Sequence, residues 1–266
     1  MLNTEKRNPN STHIDEMNTF DMLSVIQNEN LNAALAVEKA LPQIEKVTDK
    51  ISERFNKGGR IFYVGCGTSG RLGVLDASEC PPTYGVTKDK VIGIIAGGDT
   101  ALRNAVEGTE DNFELGYNDI KKFDLTDLDS VVGISVAGGA KYVLGALTAA
   151  KESNALTVGL TCNEGSKINE ISDLSIITDT GAEVITGSSR MKAGSAHKMV
   201  LNMISTCVMV KNGRVLENYM IYLKPSNEKL KDRMIRIVSE IGKVSYEEAQ
   251  TLLEKSDWDI RKATAI

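Results

Sequence analysis

Five short apolar runs, most of them set apart by helical stretches, leave this chain few folds to choose from. They are Arg60-Ile-Phe-Tyr-Val-Gly65, Val91-Ile-Gly-Ile-Ile-Ala96, Ser130-Val-Val-Gly-Ile-Ser-Val136, Leu156-Thr-Val-Gly-Leu-Thr161 and Leu174-Ser-Ile-Ile-Thr178. Apolar runs of this length with no polar alternation read as strands buried on both faces. Helical patterns lie between them at about 100–107, 110–121, 141–152 and 189–211. Strands alternating with helices predict a parallel sheet covered on both sides, an α/β fold. In such sheets ligands sit at the carboxyl ends of the strands, so the loops after the strands are the places to look for chemistry.

Upstream of the first strand, residues 4–13 are polar and turn-rich and read as an arm. From Thr19 to Phe55 apolar residues recur at three- and four-residue steps, which predicts two helices broken near Asn28-Glu-Asn30, the second closed by Gly58-Gly59. After about Lys224 the charged residues rise and the strands stop. Residues 228–241 read as a helix, and Ser245 with Glu248 opens another through a capping box. The expected organisation is therefore residues 1–223 as the main domain with its arm, and 224–266 as a small helical appendage.

A net charge of −5 argues against a nucleic-acid face, which needs clustered Lys and Arg. Four scattered cysteines and two histidines, with no Cys-x-x-Cys pair, argue against a zinc site and suit reduced thiols. No apolar run is long enough to span a bilayer and the N-terminus has no apolar signal region, so a cytoplasmic protein is expected.

The loop after the first strand is Gly65-Cys-Gly-Thr-Ser-Gly70-Arg-Leu-Gly73. It matches G-x-G-x-x-G, but the acidic residue a dinucleotide fold wants about 20 positions on is misplaced, since the next strand ends later, at Asp99. Gly67, Thr68 and Ser69 instead suit a terminal phosphate at a helix N-terminus, although a plain turn capped by Ser69 fits as well. Leu75-Asp-Ala-Ser-Glu79-Cys-Pro-Pro follows, where the two prolines are expected to stop the helix and fix Glu79 at its end. Asp76 is the rival carboxylate, and Ser78 is a further candidate for ligand contact. In Ala105-Val-Glu107-Gly-Thr-Glu110-Asp111, Gly108 is expected to end one helix and Thr109 to cap the next. That would place Glu110 in a first turn, ionised and able to act as a base, with Glu107 its rival. Ser188, Ser189, Arg190 and Lys192 then open the longest helix as a second anion-favouring terminus, with His197 expected to pack rather than react.

Taken together these segments resemble the N-acetylmuramic acid 6-phosphate etherases. The likeness rests on Thr4-Glu-x-Arg7-Asn-Pro-Asn-Ser, the Gly65 loop, Asp76-Ala-Ser-Glu-Cys-Pro-Pro82, Ala96-Gly-Gly98, Ala105-Val-Glu-Gly-x-Glu-Asp111 and Thr186-Gly-Ser-Ser-Arg-Met-Lys-Ala-Gly194, in the family's order. The resemblance implies a sugar isomerase (SIS) type three-layer αβα sandwich with a central parallel sheet, working as a homodimer without metal or organic cofactor. It implies cleavage of the D-lactyl ether of a sugar phosphate, with Glu79 and Glu110 as the catalytic carboxylates. The C-terminal segment looks similar to a UBA-like three-helix unit and is expected to be incomplete at Ile266. One stretch departs: where the family carries Ser-Gly-Arg-Thr-Pro-Tyr after the third strand, this chain has Ala137-Gly-Gly-Ala-Lys-Tyr142, short of two hydroxyls and a guanidinium. That loss motivates a second reading, a non-catalytic sugar-phosphate-binding regulator; a third, a sugar-phosphate isomerase, is the commoner chemistry of this fold. Retention of both Glu79 and Glu110 favours the etherase.

Overall fold

A computed structural model describes residues 1–265, which gather into two compact units. The first comprises Met1–Ser78 and Asp89–Val208; the second comprises Glu79–Lys88 and the chain from Met209 onward.

In the first unit, β1 (Ile61–Gly65), β2 (Val91–Ile95), β3 (Ser130–Ile134), β4 (Leu156–Thr161) and β5 (Leu174–Ile177) form one parallel sheet in the order β2-β1-β3-β4-β5. Every residue of β1, β3 and β4 is buried, as the largely apolar runs require. Asp129 staples the amino edge: its carboxylate accepts from the Arg60 backbone N–H, the Arg60 guanidinium and the Thr126 N–H. The helices α1 (Thr19–Asn56), α2 (Gly67–Tyr84), α3 (Gly98–Arg103), α4 (Phe113–Lys121), α5 (Lys141–Glu152), α6 (Lys167–Ile171) and α7 (Lys192–Lys211) complete the SIS-type sandwich. Helices α4 and α5 cross closely because Gly116 meets the Tyr142 backbone and Gly145 meets the Phe113 backbone, where any side chain would collide. Tyr142, Val143, Ala146, Leu147 and Ala150 of α5 join Phe62, Val64 and Val131 in the core.

Four sequence expectations are corrected here. The stretch 19–56 is one helix, not two: Glu29 is buried in an ion pair with Lys192, so the polar 28–30 stretch is a contact and not a loop. Helix α2 runs through Pro81 and Pro82 to Tyr84 and closes at Gly85, which has φ +64° and whose N–H reaches the Pro81 carbonyl. Helix α4 starts at Phe113, capped by the Asn112 side chain, and not near Thr109. Helix α7 starts at Lys192, so Ser188–Arg190 precede it in a turn.

The second unit holds a two-residue antiparallel ladder, β6 (Val215–Leu216) with β7 (Tyr219–Met220), and the helices α8 (Glu228–Gly242), α9 (Tyr246–Lys255) and α10 (Ile260–Thr264). Met234, Ile237, Val238, Ala249, Leu253 and Ile260 pack into its own core. Ser245 caps α9 by accepting from the Glu248 N–H at 3.2 Å, where the sequence placed it.

Candidate active site

A cleft of about 430 Å³ opens at the carboxyl ends of β1 and β3 in the first unit. Two loops build most of it. The first joins β1 to α2. Gly65 and Gly70 come so close that a Cβ on either would stand 2.6 Å from a backbone atom of the other, which lets α2 begin within two residues of the strand. Thr68 and Ser69 thereby occupy the first helical turn, where unpaired N–H groups and the helix dipole favour an anion. The second loop is the turn before α7, which brings Ser188, Ser189 and Arg190 to the opposite wall. The loops touch: a Cβ on Gly194 would lie 3.5 Å from the Thr68 methyl group.

The start of α7 is not itself free for an anion. Buried Glu183 accepts from the Ala193 N–H at 2.9 Å and the Lys192 N–H at 3.3 Å, so this helix is capped by a carboxylate of its own chain. Burial pushes the Glu183 carboxyl up from its ordinary value even with those donors. The anion-binding capacity of this wall rests on the Ser188 and Ser189 hydroxyls and the Arg190 guanidinium. Lys192, expected at the ligand, is turned away. It is 3% exposed and its ammonium donates to the Glu29 carboxylate. That partner, together with Asn10, holds the Glu29 carboxyl down at about 2 against the cost of its burial.

Glu110 also lines the cleft. It lies in a turn before α4 and not in a helix's first turn. Its backbone carbonyl accepts from the Tyr142 N–H at 3.0 Å, which ties the turn to the start of α5, and the side chain is exposed and free to meet a ligand. Cys66 stands beside it in the lining. Burial and then the Glu110 charge push that thiol up to about 12, so it is protonated and unreactive at neutral pH.

The other candidates fall elsewhere. Ser78 is exposed and donates back to the Leu75 carbonyl at 2.8 Å, outside the cleft lining. Glu79 is exposed and outside that lining, and because α2 continues to Tyr84 it is not at the helix end where the proline pair placed it. Its rival Asp76 is buried and paired with Lys198 at 2.8 Å, and Glu107 lies in an exposed turn outside the lining. His197 is fully buried, with Nε2 at 3.5 Å from the Cys162 thiol, and burial lowers it to about 4, the packing role expected of it.

The divergent loop after β3 does reach the cleft. Ala137 and Ala140 line it, while the Ser135 hydroxyl accepts from the Gly138 and Ala140 N–H groups. Lys141 does not replace the missing guanidinium: it pairs at 3.6 Å with exposed Asp111. One wall escaped the sequence reading altogether. Glu5, on the N-terminal arm, lines the cleft as well.

Comparisons with known proteins agree with this architecture. Residues 43–151 match the family of the glucokinase regulatory protein N-terminal SIS domain. The chain is 51% identical over 262 residues to an N-acetylmuramic acid 6-phosphate etherase from Caldanaerobacter subterraneus subsp. tengcongensis, covering 98% of this chain and 86% of that protein. It is 48% identical to the etherase of Bacillus subtilis with the same two coverages. Among solved structures it superimposes on a phosphoheptose isomerase from Francisella tularensis with a TM-score of 0.55 at 16% identity, covering 72% of this chain and 98% of that one. A phosphoheptose isomerase from Neisseria gonorrhoeae gives a TM-score of 0.55 at 17% identity, with the same coverages. At such identities the structural likeness concerns the fold.

Proposed function

The chain belongs to the N-acetylmuramic acid 6-phosphate etherase family, and from that premise we propose that it cleaves the D-lactyl ether of N-acetylmuramate 6-phosphate, giving N-acetylglucosamine 6-phosphate and D-lactate. The observation that carries the reading is the cleft in which the hydroxyls of Thr68, Ser69, Ser188 and Ser189 surround a space bordered by Glu110. Hydroxyls and helix-terminal amides hold the phosphate. Arg190 adds a fixed positive charge. Glu110, exposed at the cleft, removes the proton at C2 beside the open-chain aldehyde. The electron pair moves into a C2–C3 double bond as the lactate oxygen leaves C3, taking a proton from Glu79. Water then adds at C3 and C2 regains a proton, so the sequence is redox-neutral. Glu79 enters by the family likeness alone.

We also propose a homodimer. Phe20, Leu23, Leu31, Leu35 and Leu41 of α1 are each 46% exposed or more, and at 100° per residue they share one face about 120° wide. That face lies opposite Ala33, Val37, Ala40, Ile44 and Val47, which are buried. A helix apolar on both sides calls for a second partner. Sedimentation giving only monomer at micromolar concentration overturns this. No helix among the described residues is long and apolar enough to cross a membrane, and the cysteines are free, which supports a reducing, cytoplasmic setting.

The deciding experiment is incubation with N-acetylmuramate 6-phosphate and an assay for D-lactate. Release of lactate supports the etherase. Tight binding without lactate makes the chain a sugar-phosphate-binding protein.

A further inference from the structure

We propose that Glu5 is a substrate-contacting residue: the N-terminal arm forms a wall of the active site, and its carboxylate accepts hydrogen bonds from the sugar, fixing which way round the ligand lies. The inference rests on the sugar-phosphate reading of the cleft. The arm is held firmly. Asn163, just after β4, accepts from the Asn3 N–H at 3.0 Å and donates to the Thr4 hydroxyl at 3.1 Å and to the Val136 carbonyl at 2.9 Å. Asn8 donates to the Ala182 carbonyl at 3.0 Å, and Ser11 to the Val184 carbonyl at 2.7 Å. Thr4 and Asn8 are 1% and 4% exposed. Glu5 stands between these two buried anchors with its own side chain exposed, so the backbone is fixed and the carboxylate is presented.

That carboxylate has no ion pair or side-chain hydrogen bond among the described residues, although Arg190 lines the same cleft. It lies against the second loop: a Cβ on Gly187 would stand 3.6 Å from Glu5 Oε2. An ionised carboxylate accepts only, so its natural partners are hydroxyl or amide N–H groups. It also repels a phosphate placed beside it. The cleft therefore has a polarity. Phosphate is favoured where the Thr68–Ser69 helix start meets the Ser188, Ser189 and Arg190 side chains, and the donor-bearing sugar at the Glu5 wall. A second acidic wall besides Glu110 has no use in a site built only to hold phosphate.

The test compares the wild type with Glu5→Gln by calorimetry, using N-acetylglucosamine 6-phosphate, glucose 6-phosphate and inorganic phosphate as probes. Loss of a charge-assisted hydrogen bond should weaken the sugar phosphates by roughly tenfold to a hundredfold. Inorganic phosphate should bind as well or better, because a negative charge has gone. A merely structural role in the arm would weaken all three probes together, and that result, like no change in any, overturns the proposal. A wild type that binds inorganic phosphate but neither sugar phosphate overturns it too. A wild type that binds a sugar phosphate yet releases no lactate from N-acetylmuramate 6-phosphate overturns the etherase reading alone, and the Glu5→Gln ratio for that sugar phosphate still decides Glu5.

Discussion

Replacing Lys192 by Met should destabilise the protein by about 3–5 kcal/mol, because it leaves the Glu29 carboxylate buried without its cation. Lys192 is 3% exposed and Glu29 4%, so water does little to replace the lost partner. The carboxyl's shift points the same way. The folded protein holds the Glu29 carboxyl at about 2 against an ordinary 4.5, through its bonds to Lys192 and Asn10 acting against burial. Because the folded value is depressed, this contribution is complete above pH 4.5 and is lost as the pH falls through 2. Urea unfolding followed by circular dichroism at pH 7 measures the loss. The double variant Glu29→Leu with Lys192→Met removes both charges and should recover most of the stability, since exposed Asn10 can turn to water. Lys192 is also the first residue of α7, directly after the Ser188–Arg190 turn, so the single variant should raise KM more than it lowers kcat. A single variant within 1 kcal/mol of wild type, or a double variant as unstable as the single, refutes the buried-pair reasoning.

The remaining expectations concern the chemistry and the pH response. Glu79→Gln should form almost no lactate yet still exchange the C2 proton with deuterated water, whereas Glu110→Gln should lose both; the opposite pattern swaps their roles. Ser69→Ala should weaken the phosphorylated sugar by about 1–3 kcal/mol and barely affect the unphosphorylated one, and an equal loss for both removes this loop from the phosphate site. Gly139→Arg with Ala140→Thr should lower KM, since a Cβ at Gly139 meets nothing within 4 Å and Ala140 lines the cleft; an unchanged or higher KM shows that the loop has adapted to other contacts. His197, held near 4 by burial, contributes stability that is complete above pH 6.5 and lost as the pH falls through 4, so His197→Gln should flatten the stability profile across that window, and an unchanged slope assigns the acid loss to other groups.

The sheet was legible in the sequence because strands buried on both faces must be largely apolar, and β1, β3 and β4 are, apart from Ser130, Thr157 and Thr161. The Thr68–Ser69 loop was legible because it follows a strand and opens a helix, a purely local arrangement. What the sequence hid was non-local. Asn28-Glu-Asn30 looked like a break because its polar residues have no local purpose; the partner of Glu29 lies 163 residues away in Lys192. Ser188 and Ser189 looked like helix caps because the residue that caps α7, Glu183, sits upstream and buried, with no spacing signature. Glu110 looked like a first-turn acid because Thr109 and Asn112 are both good caps, and only the fold decides between them.

The arm teaches the sharper lesson. Its residues are polar, which suggests solvent, yet Thr4, Asn8 and Ser11 are buried and bonded to backbone or side-chain groups beyond β4 and β5. Carbonyls there have no ladder partner, and burying them without donors would cost free energy at each one. Short amide and hydroxyl side chains are the cheapest donors to place there, so Asn and Ser in the arm answer to unpaired carbonyls at Ala182 and Val184. The same arm then sets Glu5 over the carboxyl ends of the strands, where ligands bind in a sheet of this kind. A polar N-terminal stretch rich in Asn, Ser and Thr is in this protein a covering strip for an open sheet end, and the one acid it holds between buried anchors lines the cleft.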